Sequence, residues 1–93
     1  MAESGFRGKS MKSVAFDVAE GYVAVNPLFL KKFDNDMIKE LYENLNRALT
    51  AARIEKVALS DQAALRTRNM KLQRLHNAMI ILRNTAREKR IPL

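Results

Sequence analysis

The side chains that could carry out acid–base or metal chemistry come from one acidic stretch and a single histidine. Four carboxylates, Asp34, Asp36, Glu40 and Glu43, lie close together in the sequence. Neighbouring carboxylates on a helix could bind a hard cation, but aspartates just before a helix are also explained by capping of its free N–H groups. His76 has no acidic residue near it in the sequence, and its position predicts a partly buried side chain. We therefore predict no catalytic residue, no metal site and no cofactor.

The amino-acid composition excludes several further kinds of functional site. The chain has no cysteine, which excludes disulfides and thiolate metal ligands, and its three glycines do not form a phosphate-binding loop. No apolar run approaches the roughly 18 residues of a membrane span, and the N-terminus lacks the apolar core of a signal peptide. We expect a cytoplasmic protein without stable membrane insertion and infer no small-molecule substrate.

The positive charge is concentrated in the C-terminal third. The chain has 17 Lys and Arg against 10 Asp and Glu, a net charge of +7. Residues 59–93 contain eight of the bases and only two of the acids, which favours a polyanion as partner. On a helical wheel these bases are spread around the helix, which argues against a groove-reading face. The candidate polyanion-binding residues are Arg66, Arg68, Lys71, Arg74, Arg83 and Arg87.

The elements that must position these residues are two helices. Residues 37–52 place apolar side chains at three- and four-residue steps, which predicts an amphipathic helix. A second apolar stripe lies out of phase with the first, so one continuous helix would have to bury two unrelated faces. We therefore predict an antiparallel helical hairpin over residues 36–57 and 60–89, rather than a rod. The second stripe consists of Leu65, Leu72, Leu75, Met79, Leu82 and Ala86.

Short local patterns predict the structure of the two ends of the chain. Residues 1–12, with two glycines and no periodicity, predict a flexible tail, and residues 13–93 form a single small domain. Residues 13–26 alternate apolar and polar side chains around Glu20-Gly21, which predicts a small β-hairpin. Asn26-Pro27 is typical of a capped, short helical turn. The last seven residues, 87–93, are expected to form a frayed basic tail.

The second helix carries more apolar surface than one hairpin partner can cover. Met70 and Ile81 lie off its main stripe, and Ile80 widens the apolar face. A second contact is therefore required, most simply a second copy of the chain. The predicted oligomer or partner interface consists of Met70, Leu72, Met79, Ile80 and Ile81.

Together these patterns predict a mostly α fold, an antiparallel helical hairpin with a small N-terminal β-hairpin that dimerises into a helical bundle. Because candidate catalytic groups are missing, we expect a non-enzymatic interaction or assembly protein, an adaptor, regulator or chaperone-like subunit acting through apolar helix faces. Its partners would be another protein and further copies of itself. The alternative is a basic nucleic-acid-binding protein that uses the C-terminal helix.

Overall fold

A computed structural model describes residues 10–93 and shows four helices in this part of the chain. They are α1 (Met11–Glu20), α2 (Pro27–Leu30), α3 (Asn35–Ile54) and α4 (Gln62–Glu88). No β-strand occurs among the described residues. The fold is therefore all-helical, and the elongated molecule measures 44 × 28 × 20 Å.

The β-hairpin predicted over residues 13–26 is wrong, because most of that segment forms α1. Alternation of Val14, Phe16 and Val18 suggested a strand, but Phe16 is exposed while both valines are buried. Counted from Met11, the other buried residues lie three, four, seven and eight positions further along the chain, which places all of them on one face of a helix. That face is buried against α3 and α4 and consists of Met11, Val14, Ala15, Val18 and Ala19.

Gly21 ends α1. The hairpin turn predicted at Glu20-Gly21 is therefore wrong. The Gly21 φ of +85° lies in the left-handed region, which glycine adopts without steric cost. The Gly21 N–H donates to the Val18 carbonyl at 3.1 Å, and the Tyr22 N–H donates to the Asp17 carbonyl at 2.8 Å. These two bonds close the helix, and the chain then turns back along α4 towards α2.

Each helix begins at a residue whose side chain accepts a hydrogen bond from the N–H three positions later. Such caps satisfy one of the N–H groups that a helix start leaves unpaired. The capping role predicted for Asp34 and the Asn26-Pro27 helix start are confirmed. The four pairs are Ser10 with Ser13, Asn26 with Phe29, Asp34 with Met37, and Asp61 with Ala64.

Helices α3 and α4 fold back on each other through residues 55–61, so the predicted turn between them is present. Their antiparallel orientation is visible in two contacts at opposite ends. Arg83 Nη2 lies 3.4 Å from the hydroxyl of Tyr42, and Arg68 Nη1 donates to the Glu55 carbonyl at 3.4 Å. The helix ends lie within three residues of the predicted bounds.

The C-terminal segment is not frayed as predicted. The Ile91 N–H donates to the Ala86 carbonyl at 2.8 Å, and the Ile91 side chain is buried in the core. Between them Arg90 has a φ of +58°, a left-handed conformation that a non-glycine residue adopts at a cost. The apolar contact of Ile91 offsets that cost and fixes the end of α4.

The structure describes only the last three residues of the predicted N-terminal tail. Residues 1–9 of the predicted tail lie outside the described residues, whereas residues 10–12 form the cap and first turn of α1. In residues 10–93 no helix combines the length and apolarity needed to cross a bilayer.

Candidate interaction surfaces

The carboxylates and the histidine are not brought together. Asp34 caps α3, Asp36 and Glu43 are exposed, and Glu40 is half-buried one turn into the same helix. His76 is exposed, so its predicted partial burial is wrong. Within the described part of the chain, no three His, Asp or Glu side chains are grouped as metal ligands.

Three of the five predicted interface residues belong to the protein's own core. Met79 is buried, and Leu72 and Ile81 pack against the core from partly buried positions. Helix α1 contacts both α3 and α4 and contributes to the same core, in place of the predicted β-hairpin. Met70 and Ile80 remain exposed, at 45% and 41% of their full surface.

Two of the six predicted polyanion-binding residues are held by α1. Arg74 Nη1 donates to the Ala19 carbonyl at 3.0 Å, and Lys71 Nζ lies 3.5 Å from the Glu20 carboxylate. The Arg74 guanidinium also lies against Gly21, where a Cβ would approach it to 2.9 Å. Both bases therefore fasten the C-terminal end of α1 to α4.

The other four polyanion candidates are less constrained. Arg68 reaches the Glu55 carbonyl at the end of α3, and its buried Nε has no hydrogen-bond partner in the described structure. Arg83 is exposed beside the Tyr42 ring, with its guanidinium carbon 6.0 Å from the ring centre. Arg66 and Arg87 are exposed, and in residues 10–93 neither side chain makes a hydrogen bond or an ion pair.

The last two residues of α3 and the connection to α4, together residues 53–61, form a surface that we call the hairpin tip. Its apolar side chains are unusually open: Ile54 is 72% exposed and Leu59 84%. The core cluster includes none of the apolar side chains of residues 53–61, all of which are described. Helix α1 ends at Glu20, whose carboxylate lies 3.5 Å from Lys71 Nζ of α4. Sequence analysis missed the tip, although Ile54 and Leu59 flank a predicted turn, where polar residues are usual.

An open groove of about 430 Å³ runs between α1 and α3 and reaches the hairpin tip. Alanines from both helices and the Phe16 side chain line it. Of the hairpin tip, Glu55 lines the groove, whereas Ile54 and Leu59 do not.

Comparison with known proteins gives no match: no family model fits the chain, and neither a curated protein nor a solved structure is significantly similar to it.

Proposed function

We propose that this chain is a non-enzymatic interaction and assembly protein that binds a second copy of itself through the hairpin tip. The observation that carries the proposal is the exposure of Ile54 and Leu59, two large aliphatic side chains within six residues and outside the core. Apolar side chains grouped in this way are typical of protein interaction surfaces. The cytoplasmic setting is part of the proposal and rests on the sequence alone.

The charge of the hairpin tip supports a second copy as the partner. Two copies of a chain with net charge +7 repel each other over most of their surfaces. Residues 53–61 are an exception, because Arg53 and Lys56 are balanced by Glu55 and Asp61. In a two-fold symmetric contact each surface meets itself, so the bases of one tip can face the acids of the other. The tip can therefore self-associate without charge repulsion.

The size of the tip predicts a weak complex. A symmetric contact would bury Ile54 and Leu59 from both copies, and burial of each such side chain contributes about 1.5 to 3 kcal/mol. The gross gain is then roughly 6 to 12 kcal/mol, from which at least about 4 kcal/mol is lost as translational and rotational freedom. A remainder of up to about 8 kcal/mol corresponds to a Kd in the micromolar to millimolar range.

The test is the molar mass of the chain measured by sedimentation equilibrium between about 10 μM and about 1 mM. We expect the mass to rise towards that of a dimer with increasing concentration. Leu59→Glu and Ile54→Glu should each hold the protein as a monomer, because the dimer would bury an unpaired carboxylate. The matched control is Leu28→Glu in α2, since Leu28 is also 72% exposed but lies outside the tip.

Circular dichroism of each variant shows whether its helices are intact. A wild-type protein that is monomeric throughout the concentration range would refute self-association. Equal loss of dimer in Leu28→Glu and Leu59→Glu would also refute the tip as the interface, because the effect would then follow from added charge and not from its position.

A further inference from the structure

One face of α4 carries polar and basic side chains at regular helical spacing. Steps of three and four residues alternate along it without interruption, so these side chains lie within an arc of about 100° on the helix surface. All are exposed. We call this face the polar stripe; it consists of Arg66, Asn69, Gln73, His76, Arg83 and Arg87, with Ile80 between the two halves.

The helical wheel spreads the bases of α4 around the helix, which argued against a nucleic-acid-binding face. In the structure, the bases away from the polar stripe contact other parts of the chain. Residues 62–87 contain six bases and no acidic residue. Lys71 and Arg74, which lie well off the polar stripe, are the two bases that contact the end of α1. The three bases on the stripe, Arg66, Arg83 and Arg87, all remain exposed. The sixth base, Arg68, is half-buried and donates to the Glu55 carbonyl at the end of α3. The charge available for a partner is therefore on one side of α4.

We propose that the polar stripe binds the backbone of double-stranded nucleic acid. Arginine is well suited to phosphate oxygens because its guanidinium donates two parallel hydrogen bonds. Asparagine, glutamine and histidine donate to phosphates and can also reach base edges in a groove. A surface that combines arginines with amides and has no carboxylate matches this chemistry.

The dimensions of α4 agree with this partner. Arg66 and Arg87 are 21 positions apart, which at 1.5 Å per residue is about 31 Å. One turn of a DNA duplex is about 34 Å long, and its major groove, about 12 Å wide, admits an α-helix. Arg66 and Arg87 can therefore reach phosphates about one turn of the duplex apart.

An anionic membrane is the less suitable partner for the same surface. Amphipathic helices that bind bilayers place a broad apolar face into the lipid. On the polar stripe Ile80 is the one apolar side chain, and its neighbours on the stripe are the exposed His76 and Arg83. Its burial would contribute too little to hold the protein at a bilayer.

The experiment measures binding of a labelled, random-sequence 20-base-pair duplex to the full chain by fluorescence anisotropy over a range of salt concentrations. We expect saturable binding at about 0.15 M salt. Arg66→Ala combined with Arg87→Ala should weaken it about tenfold and reduce the slope of log Kd against log salt by about 1 to 2, because two phosphate contacts are lost.

The control is Lys39→Ala combined with Arg47→Ala, which removes the same charge from exposed positions on α3. This variant should bind within about twofold of wild type, because phosphate contacts and not net charge determine the affinity. Competition with phosphatidylserine vesicles provides the membrane comparison, and the duplex should stay bound.

Three results would overturn the proposal: no duplex binding at about 0.15 M salt, equal loss in both double variants, or displacement of the duplex by vesicles. The proposal does not rest on self-association at the hairpin tip. Leu59→Glu separates the two, because it should abolish dimers while a monomer retains the polar stripe and binds duplex.

Discussion

Replacement of Gly21 by alanine should destabilise the protein through two separate effects. The φ of +85° would cost an alanine about 1 to 2 kcal/mol. Its Cβ would also lie 2.9 Å from the Arg74 Cζ, so the guanidinium would have to move away from the Ala19 carbonyl to which it donates. Loss of that hydrogen bond adds about 1 kcal/mol. We therefore expect Gly21→Ala to lower the free energy of unfolding by about 2 to 3 kcal/mol.

A double-mutant cycle with Arg74→Ala separates the two effects. Arg74→Ala alone should cost about 1 kcal/mol, since it removes the hydrogen bond to α1. In that background Gly21→Ala should cost only the backbone penalty, about 1 to 2 kcal/mol, because no guanidinium remains for the Cβ to displace. The coupling between the two substitutions should therefore be about 1 kcal/mol.

The assay is urea denaturation followed by circular dichroism at 222 nm. A domain of 93 residues has a free energy of unfolding of about 5 to 14 kcal/mol, so these changes are measurable. Ala24→Ser, in the same exposed loop, is the control and should stay within about 0.5 kcal/mol of wild type. A Gly21→Ala variant as stable as that control would refute the left-handed end of α1. Strict additivity with Arg74→Ala would refute the contact between the two residues.

The remaining predictions use the same assay at other positions. Met11→Ala should cost about 2 to 5 kcal/mol, because Met11 is fully buried, whereas the exposed neighbour Lys12→Ala should be nearly neutral; similar values for both would contradict the packing of α1. Asp34→Ala removes the cap of α3 and should cost about 1 kcal/mol, and an unchanged midpoint would argue against the cap. Arg90→Gly should stabilise by up to about 1 kcal/mol because its φ is +58°; a loss of stability would show that this conformation is wrong.

The hairpin of α3 and α4 could be predicted because each helix has its own apolar stripe and its own cap. Asp34 caps α3 as expected for an aspartate just before a helix, and the phase difference between the stripes requires a turn between them. Helix α1 could not be recognised by its large residues alone. Two of the five residues on its buried face are alanines, and the prominent Phe16 points to solvent.

The wrong assignment of α1 also bears on the predicted interface. With residues 13–26 assigned to a β-hairpin, the second apolar face of α4 had no partner in the chain, and Met79 and Ile81 were assigned to a dimer contact. Tertiary packing decides such cases, because either α1 or a second copy could have covered the same side chains. The polar stripe of α4 could be read only after Lys71 and Arg74 were seen to contact α1.

The most direct test of self-association at the hairpin tip is the concentration dependence of backbone amide chemical shifts measured by NMR. Spectra recorded from about 10 μM to about 1 mM should show shifts that change together and fit one Kd. We predict that the changes are concentrated in residues 53–61, with Leu59 among the largest, and that they vanish in Leu59→Glu. Spectra that do not change with concentration, or changes centred on Leu28 and the opposite end of the molecule, would contradict the proposed function.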